Sequence, residues 1–454
     1  MNRMQPDTAN RPSIRATPEW HVERLCVLAR MAGAATADPQ RCRYAESGCR
    51  EGTNLLAMAL CYPESQFIGL DPSARHIAEA QHTADILGLR NTEFRHAPAG
   101  EIPAECDYIA VADFTRMHAR NRAALLEAVR AALRPNGVAV LAVDTLPGAH
   151  FRAMMREILL DHAGARESGA PLHQAALELT AMQATGLNLE QPLSPYLKAF
   201  HQEIADLTAG DLERLYLADF FEPIYLHEFQ KLLLQAGLEY LGDAGFDNAS
   251  EDDLQPGAWN HLRELSRSDR IRFEQYLDFA TGRLVRHALV SATPAPLQGD
   301  RELQGLWAVA GTAAEELAAA GPGAGRIAAA APRALPLSET GVPWQQARAL
   351  FARSAIELRT SPTVSEPLQP QPRAFPLARH QAATGCSHAA TPLLSLVPLT
   401  DLRRGLLHLA DGKRMRVEIE AEIMKLGSGG TPAQWRQLLE NEFRLLERSG
   451  LFTR

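Results

Sequence analysis

Lysine is nearly missing from this chain. Of 46 Lys and Arg residues, lysine stands only at 198, 231, 413 and 425, so amines for imine chemistry are scarce and the basic groups are almost wholly guanidinium. Six cysteines lie at 26, 42, 49, 61, 106 and 386 without a C-x-x-C pair. That spread excludes the common zinc and dithiol motifs and suits scattered buried thiols in a reducing compartment. No apolar run reaches the length of about 18 residues that a membrane span requires, and the polar opening segment is not a secretory leader. A cytoplasmic location is therefore expected, with no membrane contact. G-x-x-x-x-G-K-[ST], H-E-x-x-H and G-x-G-x-x-G are all absent, which argues against a phosphate-loop enzyme, a zinc peptidase and an NAD dehydrogenase. No metal site is expected. A formal net charge of -8 argues against a nucleic-acid surface.

What is present is ordinary globular composition, 46% hydrophobic and 22% charged over 454 residues. Such a chain is too long for one core and predicts several domains. The stretch from Arg43 to Ser73 carries the densest signal. It reads as a short strand, a glycine-bearing turn, a helix from Thr53 to Leu60, and an apolar strand Phe67-Ile68-Gly69-Leu70 ended by Asp71. In open α/β sheets a ligand sits at the carboxyl ends of such strands. Glu46, Gly48 and Gly52 are spaced as E-x-G-x-x-x-G, and glycines there let the chain tighten and the helix start close to a ligand. Asn54 in the first helical turn offers a donor, and Asp71 is placed to take a ribose diol. The segment reads as the front half of a nucleoside-cofactor site.

The alternation continues. A helix capped by Ser73 runs to Leu87, and strands are predicted at 92–95, 106–110 and 138–143, with a helix at 122–133. Strands separated by helices of this length predict a parallel sheet with helices on both faces. Ahead of them, Thr17 is the expected cap of a helix opening at Pro18, and residues 1–17 are expected to be a loose or docking arm. Beyond Asp144 the patterns at 150–182 and 195–236 are helical, 238–241 and 284–290 suit returning strands, and 261–280 is helical again. Residues 308–336 are dominated by Ala, Gly and Pro, suiting a linker or short helices. Helices are then expected at 344–358, 401–409 and 432–448, with a strand at 415–419. The resulting division is an arm and covering helix (1–40), an α/β domain (41–185), a helical domain (186–295), an Ala/Pro-rich connection with a helix (296–376) and a small winged-helix-like C-terminal domain (377–454).

ESGCREGTNLL, followed by FIGLDPS and RHIAEAQ, resembles motif I and its sequel in class I S-adenosylmethionine-dependent methyltransferases. The resemblance extends through RPNGVAVLAVDTLPGAHFRAMMRE (134–157), FFEPIYLHEFQKLLLQAGLEYLGDA (220–244) and RIRFEQYLDF (270–279) to proteins with a downstream methyltransferase regulatory domain, among them rickettsial-type protein lysine methyltransferases. It implies an α/β fold: a Rossmann-like seven-stranded core, a helical middle domain and a small α+β C-terminal domain. It implies S-adenosyl-L-methionine as cofactor, held by Glu46, Gly48, Gly52 and Asp71, with Asn54 as the further candidate donor from its place in the first helical turn. The implied chemistry is in-line methyl transfer to a protein side-chain amine; by position after the fourth strand, Asp113 is the candidate to orient the acceptor and His118 the candidate base. Two departures stand out. Arg50 replaces the middle glycine of the motif, and Pro98 replaces the residue expected to contact the adenine amine. They support the alternative of a catalytically inactive methyltransferase fold used for binding or as a scaffold. The compatible partners are a protein substrate, a protein partner or a second copy of the chain in a homodimer.

Overall fold

The computed structural model describes residues 14–164, 172–186, 194–207, 209–245, 254–293, 303–311, 317, 319–426 and 431–454. Its centre is a seven-stranded sheet built from β1 (Arg43–Ser47), β2 (Gln66–Asp71), β3 (Thr92–His96), β4 (Cys106–Val111), β5 (Leu133–Asp144), β6 (Glu239–Asp243) and β7 (Val285–Ser291), in the order β3-β2-β1-β4-β5-β7-β6. The first five strands are parallel, and β7 runs antiparallel to both β5 and β6. The order reverses on either side of β1, so the carboxyl ends of β1 and β4 open a crevice where ligands of such sheets sit.

Ahead of the first strand lies α1 (Val22–Met31), and between the strands lie α2 (Thr53–Cys61), α3 (Ala74–Leu87) and α4 (Ala119–Ala132). Ser73 caps α3 by accepting from the His76 N–H, and Gly88 closes it in a left-handed turn, as the sequence predicts. The start of α1 differs. Pro18–Trp20 forms a single 3-10 turn, Thr17 makes no side-chain cap, and His21 caps α1 by accepting from the Glu23 N–H. The Pro18 ring suits a turn's opening equally well, and Trp20 is drawn fully into the core. Tyr44, in a first strand that looks weak by composition, is buried and donates from its hydroxyl to the Trp20 carbonyl.

After β5 come α5 (Ala149–Gly164), α6 (Leu172–Gly186), α7 (Ser194–Asp206) and α8 (Ala209–Tyr216), which bury Met155, Leu159, Leu197, Phe200, Leu212 and Tyr216 in a core of their own. They form a helical cap. The chain then returns through α9 (Leu226–Gln235), α10 (Ala258–Leu265) and α11 (Arg270–Thr281), so the last two strands of the sheet come from the region beyond the cap. Arg286 on β7, 1% exposed, stitches that return. Its guanidinium bonds to both Asp278 oxygens at 2.9 and 2.7 Å, to Glu274 at 3.0 Å and to the Tyr240 hydroxyl at 2.9 Å.

Three expectations in the C-terminal half are corrected. Residues 415–419 lie at the start of a helix, Arg416–Leu426, and are not a strand. The predicted helix 344–358 stops at Ala352, and Ile356–Arg359 is a strand. The Ala/Gly-rich 308–336 region is no linker: Trp307–Ala310 pairs with Ile356–Arg359 and Leu335–Pro336 in a three-stranded sheet, with a helix at Pro322–Ala330. Small residues permit this because Ala308, Ala310 and Ala324 are buried in close packing. Helical expectations at 312–316, like the arm's first 13 residues, lie outside the described residues. The last part holds helices Pro376–Ala383, Asp401–Leu409, Arg416–Leu426 and Pro432–Arg448, with the strand pair 388–390 and 396–398.

Helix α1 joins the halves. Every residue but Arg30 is buried, including Glu23 and Arg24. The Arg24 guanidinium donates to Glu357 at 2.8 Å and to the Ala244 carbonyl at 2.7 Å, and Glu23 accepts from the Thr360 N–H at 2.7 Å and from Ser361. Among the described residues no helix is long and apolar enough to cross a membrane, and the six cysteines are all unpaired.

The Arg286 cluster generates a prediction. Replacing Arg286 with Met strands buried carboxylates, so we expect a loss of about 3–5 kcal/mol, read as a lower urea midpoint with an unchanged slope. A loss below about 1 kcal/mol would mean that water enters and screens Asp278 and Glu274.

Candidate active site

The turn after β1 is governed by Asp71. Its carboxylate, 5% exposed at the end of β2, accepts from the Arg50 N–H at 2.9 Å through Oδ2. Through Oδ1 it accepts from the Ser73 N–H at 2.9 Å and faces His76 Nδ1 at 3.3 Å. Burial pushes this carboxyl upward, yet His76 and the two backbone donors together hold it below its ordinary range. The Gly48 and Cys49 N–H groups both donate to the Leu70 carbonyl, at 2.7 and 3.1 Å. A turn folded back this tightly needs positive φ, which Gly48 (+82°) and Gly52 (+74°) supply. A Cβ on Gly48 would stand 2.8 Å from the Ala112 Cβ, and one on Gly52 would stand 2.6 Å from the Phe94 ring. Both glycines are thus required by the fold itself.

Arg50 also has positive φ, +52°, a region in which its side chain is strained. An arginine there costs roughly 1–2 kcal/mol. The side chain is 10% exposed and reaches the helical cap, where Nη1 pairs with Asp211 of α8 at 2.6 Å. One turn later on α8, Arg214 returns the favour in opposite sign, donating to Asp113 Oδ1 at 2.6 Å. Two ion pairs of reversed polarity therefore tie α8 to the ends of β1 and β4.

Glu46, at the end of β1, is 3% exposed and accepts from Asn54 Nδ2 at 3.2 Å. Burial pushes its carboxyl up to about 8, with Arg15 and Asn54 opposing that rise. Asn54 Oδ1 in turn accepts from the Thr17 N–H at 3.0 Å, and Glu51 accepts from the Arg15 N–H at 2.8 Å. Residues 14–17 are therefore docked against the site.

Glu46, Gly48, Gly52, Asn54 and Asp71 thus come together in one turn and the strand ends beside it. Asp113, directly after β4, sits at φ +56° and shares Oδ1 between Arg214 and Arg116, the latter at 3.3 Å. Oδ2 accepts no hydrogen bond among the described residues. Burial raises this carboxyl, but the Arg214 and Arg116 guanidiniums outweigh it and keep the group below its ordinary range. His118 is occupied elsewhere. Its Nδ1 accepts from the Arg120 N–H at 3.2 Å and caps α4, and its ring meets Phe220 edge-on at 5.2 Å. Pro98 is exposed in the loop after β3, where its carbonyl accepts from the Glu101 N–H. Sequence reasoning missed Arg15, His76, Asp211 and Arg214. Only His76, five residues after Asp71 and in the first turn of α3, had a local signal. Among the described residues no group of three or more His, Cys, Asp or Glu side chains is arranged to hold a metal.

Residues 45–137 match a methyltransferase domain family, and residues 215–291 match a family described as a predicted methyltransferase regulatory domain. An uncharacterized protein of Rickettsia prowazekii is 28% identical over 276 residues, covering 59% of this chain and 49% of that protein. The chain spans about half the length of the first curated relatives it matches. Among solved structures, PKMT2 of Rickettsia typhi superposes with a TM-score of 0.80 at 17% identity, covering 97% of this chain and 100% of that one. Its complex with AdoHcy gives 0.81 at 18%, covering 97% and 99%. The chain has the class I methyltransferase fold, and in fold it resembles these rickettsial proteins.

The raised Glu46 carboxyl makes stability depend on pH. Its proton is bound more tightly in the folded protein than at the ordinary value of 4.5. This contribution is therefore complete below about 4.5 and is lost as pH climbs toward about 8. We expect Glu46→Gln to remove that decline, leaving a flatter stability profile across this window in urea titrations. An identical decline in the variant would assign the effect to other groups.

Proposed function

We propose that this chain binds S-adenosylmethionine at the carboxyl ends of β1, β2 and β4 and methylates a side-chain amine of a protein. The observation that carries the reading is the placement of two buried carboxylates, Glu46 and Asp71, at the ends of adjacent parallel strands around a glycine-kinked turn. The acceptors fit this ligand. A carboxylate offers about four lone-pair sites, and Asp71 uses three. One site on Oδ2 is free, and rotation of His76 releases another, which matches a ribose diol. Glu46, neutral when the site is closed, is placed to ionise beside the ammonium of the methionine end. Arg50 crosses from the turn to α8, so entry of a ligand requires its side chain to swing with that helix.

Bound S-adenosylmethionine would supply an electrophilic methyl carbon on a sulfonium. The chain's part is to place the amine in line and exclude water. We assign Asp113 Oδ2 the orienting of that amine, since Arg116 and Arg214 hold the carboxylate ionised and fix its plane. His118, whose Nδ1 is spent on the α4 cap, walls this side with Phe220 and is not assigned proton transfer. The match of PKMT2 over its whole length, including an AdoHcy complex, supports the cofactor. The resemblance to rickettsial-type protein lysine methyltransferases supports the protein acceptor. A second reading, a methyltransferase fold kept closed as a binding or scaffold protein, is favoured by the two ion pairs that fasten α8.

Calorimetry with S-adenosylhomocysteine tests the choice. We expect binding by the wild type, at least about tenfold weaker binding by Asp71→Asn, from loss of charge-assisted hydrogen bonds, and tighter binding by Arg50→Gly. No heat with either the wild type or Arg50→Gly would select the scaffold reading. Tight binding unaltered in Asp71→Asn would move the ribose elsewhere.

A further inference from the structure

We infer that Arg15 binds the amino-acid carboxylate of the cofactor, completing a site in which Asp71 takes the ribose and Glu46 the ammonium. The inference rests on the cofactor reading above and adds to it a residue from outside the methyltransferase domain. Four guanidiniums surround the carboxyl ends of β1 and β4. Arg50 pairs with Asp211, Arg116 with Asp144 at 3.0 Å, and Arg214 with Asp113. Arg15 alone of the four has no carboxylate within ion-pair distance among the described residues.

Its position is nevertheless fixed. The Arg15 N–H is held by Glu51, the Thr17 N–H by Asn54, and Asn54 also bonds to Glu46. The guanidinium lies over the ring of Trp20, 4.7 Å from its centroid, and Trp20 is fully buried. Nη1 is shut away from solvent and has no hydrogen-bond partner among the described residues. A charged donor in that condition is an unmade bond, costly unless a ligand satisfies it. Its charge acts on both Glu46 and Asp113, so it stands beside the strand ends where the methionine half of the ligand is placed.

The chemistry matches. S-adenosylmethionine carries a zwitterionic amino-acid end whose carboxylate loses its water on entering the crevice. A planar fork that is always charged and less strongly hydrated than an ammonium is the best-suited partner for a carboxylate. Glu46 and Asp71 are acceptors of the wrong sign for that group. The stacking on Trp20 holds the fork in one plane before the ligand arrives, which reduces the ordering cost of binding.

Two ligands separate this inference from the reading beneath it. S-adenosylhomocysteine has the amino-acid carboxylate; methylthioadenosine has the same adenine, ribose and thioether but lacks it. In titration calorimetry we expect Arg15→Met to weaken S-adenosylhomocysteine by about tenfold or more and to leave methylthioadenosine within about twofold. Arg15→Lys, which keeps the charge but not the fork, should recover part of the loss. Wild-type affinity for S-adenosylhomocysteine in Arg15→Met overturns the inference and leaves the cofactor reading standing. Equal weakening of both ligands, in Arg15→Met and Arg15→Lys alike, also overturns it, because Arg15 would then act only by docking the arm. Binding of neither ligand by the wild type overturns both.

Discussion

The bond from the Arg50 N–H to the Asp71 carboxylate is the constraint on which the site depends. It ties the turn after β1 to the end of β2, and the turn's approach to Leu70 sets where α2 begins. Because the turn is pulled in so far, Gly48 and Gly52 must take positive φ against Ala112 and Phe94. Arg50 is forced into the same region. An arginine held there is strained, and the strain is offset by what its side chain gains at Asp211. The turn and the helical cap are therefore coupled, since the residue that distorts one fastens the other. A glycine at this position would uncouple them.

Much of this is legible in the sequence because it depends on near neighbours. A strand, a turn, a helix and a second strand ending in Asp71 follow from local alternation and from glycine spacing, and the structure places them as expected. The Ser73 cap and the Gly88 stop on α3 are equally local. What is not legible depends on partners far along the chain. Nothing near Arg15 indicates that Glu51 and Asn54 will dock it, and nothing near Arg214 indicates Asp113, 101 residues away. Thr17 is the better cap by residue type, yet burial of Trp20 turns the chain first and passes the role to His21. The strand expected at 415–419 fails because alternating charge and apolar residues also suit a helix whose charges pair along its surface, as Arg416 does with Glu420.

The protein places paired charge inside its core, and the cations are guanidiniums in a chain poor in lysine. Arg286 with Asp278 and Glu274, and Arg24 with Glu357, are buried pairs whose guanidiniums reach several acceptors at once. A guanidinium suits this better than an ammonium because its fork meets carboxylate and carbonyl oxygens together. Such pairs add little net stability compared with apolar packing. They do specify geometry: each of these arginines joins segments that would otherwise be free to slide, α11 to β7 in one case and α1 to the C-terminal half in the other.

Helix α1 meets its acid partner only at Glu357, 333 residues downstream. Ribosomal synthesis runs from the amino terminus, so Arg24 leaves the ribosome long before the carboxylate that neutralises it exists. Until then this helix, buried at every residue but Arg30 in the folded chain, lacks the carboxylate that pairs with Arg24. Closure of the Arg24 flank therefore waits on residues made much later, whereas the arm that carries Arg15 docks on Glu51 and Asn54, which follow it closely.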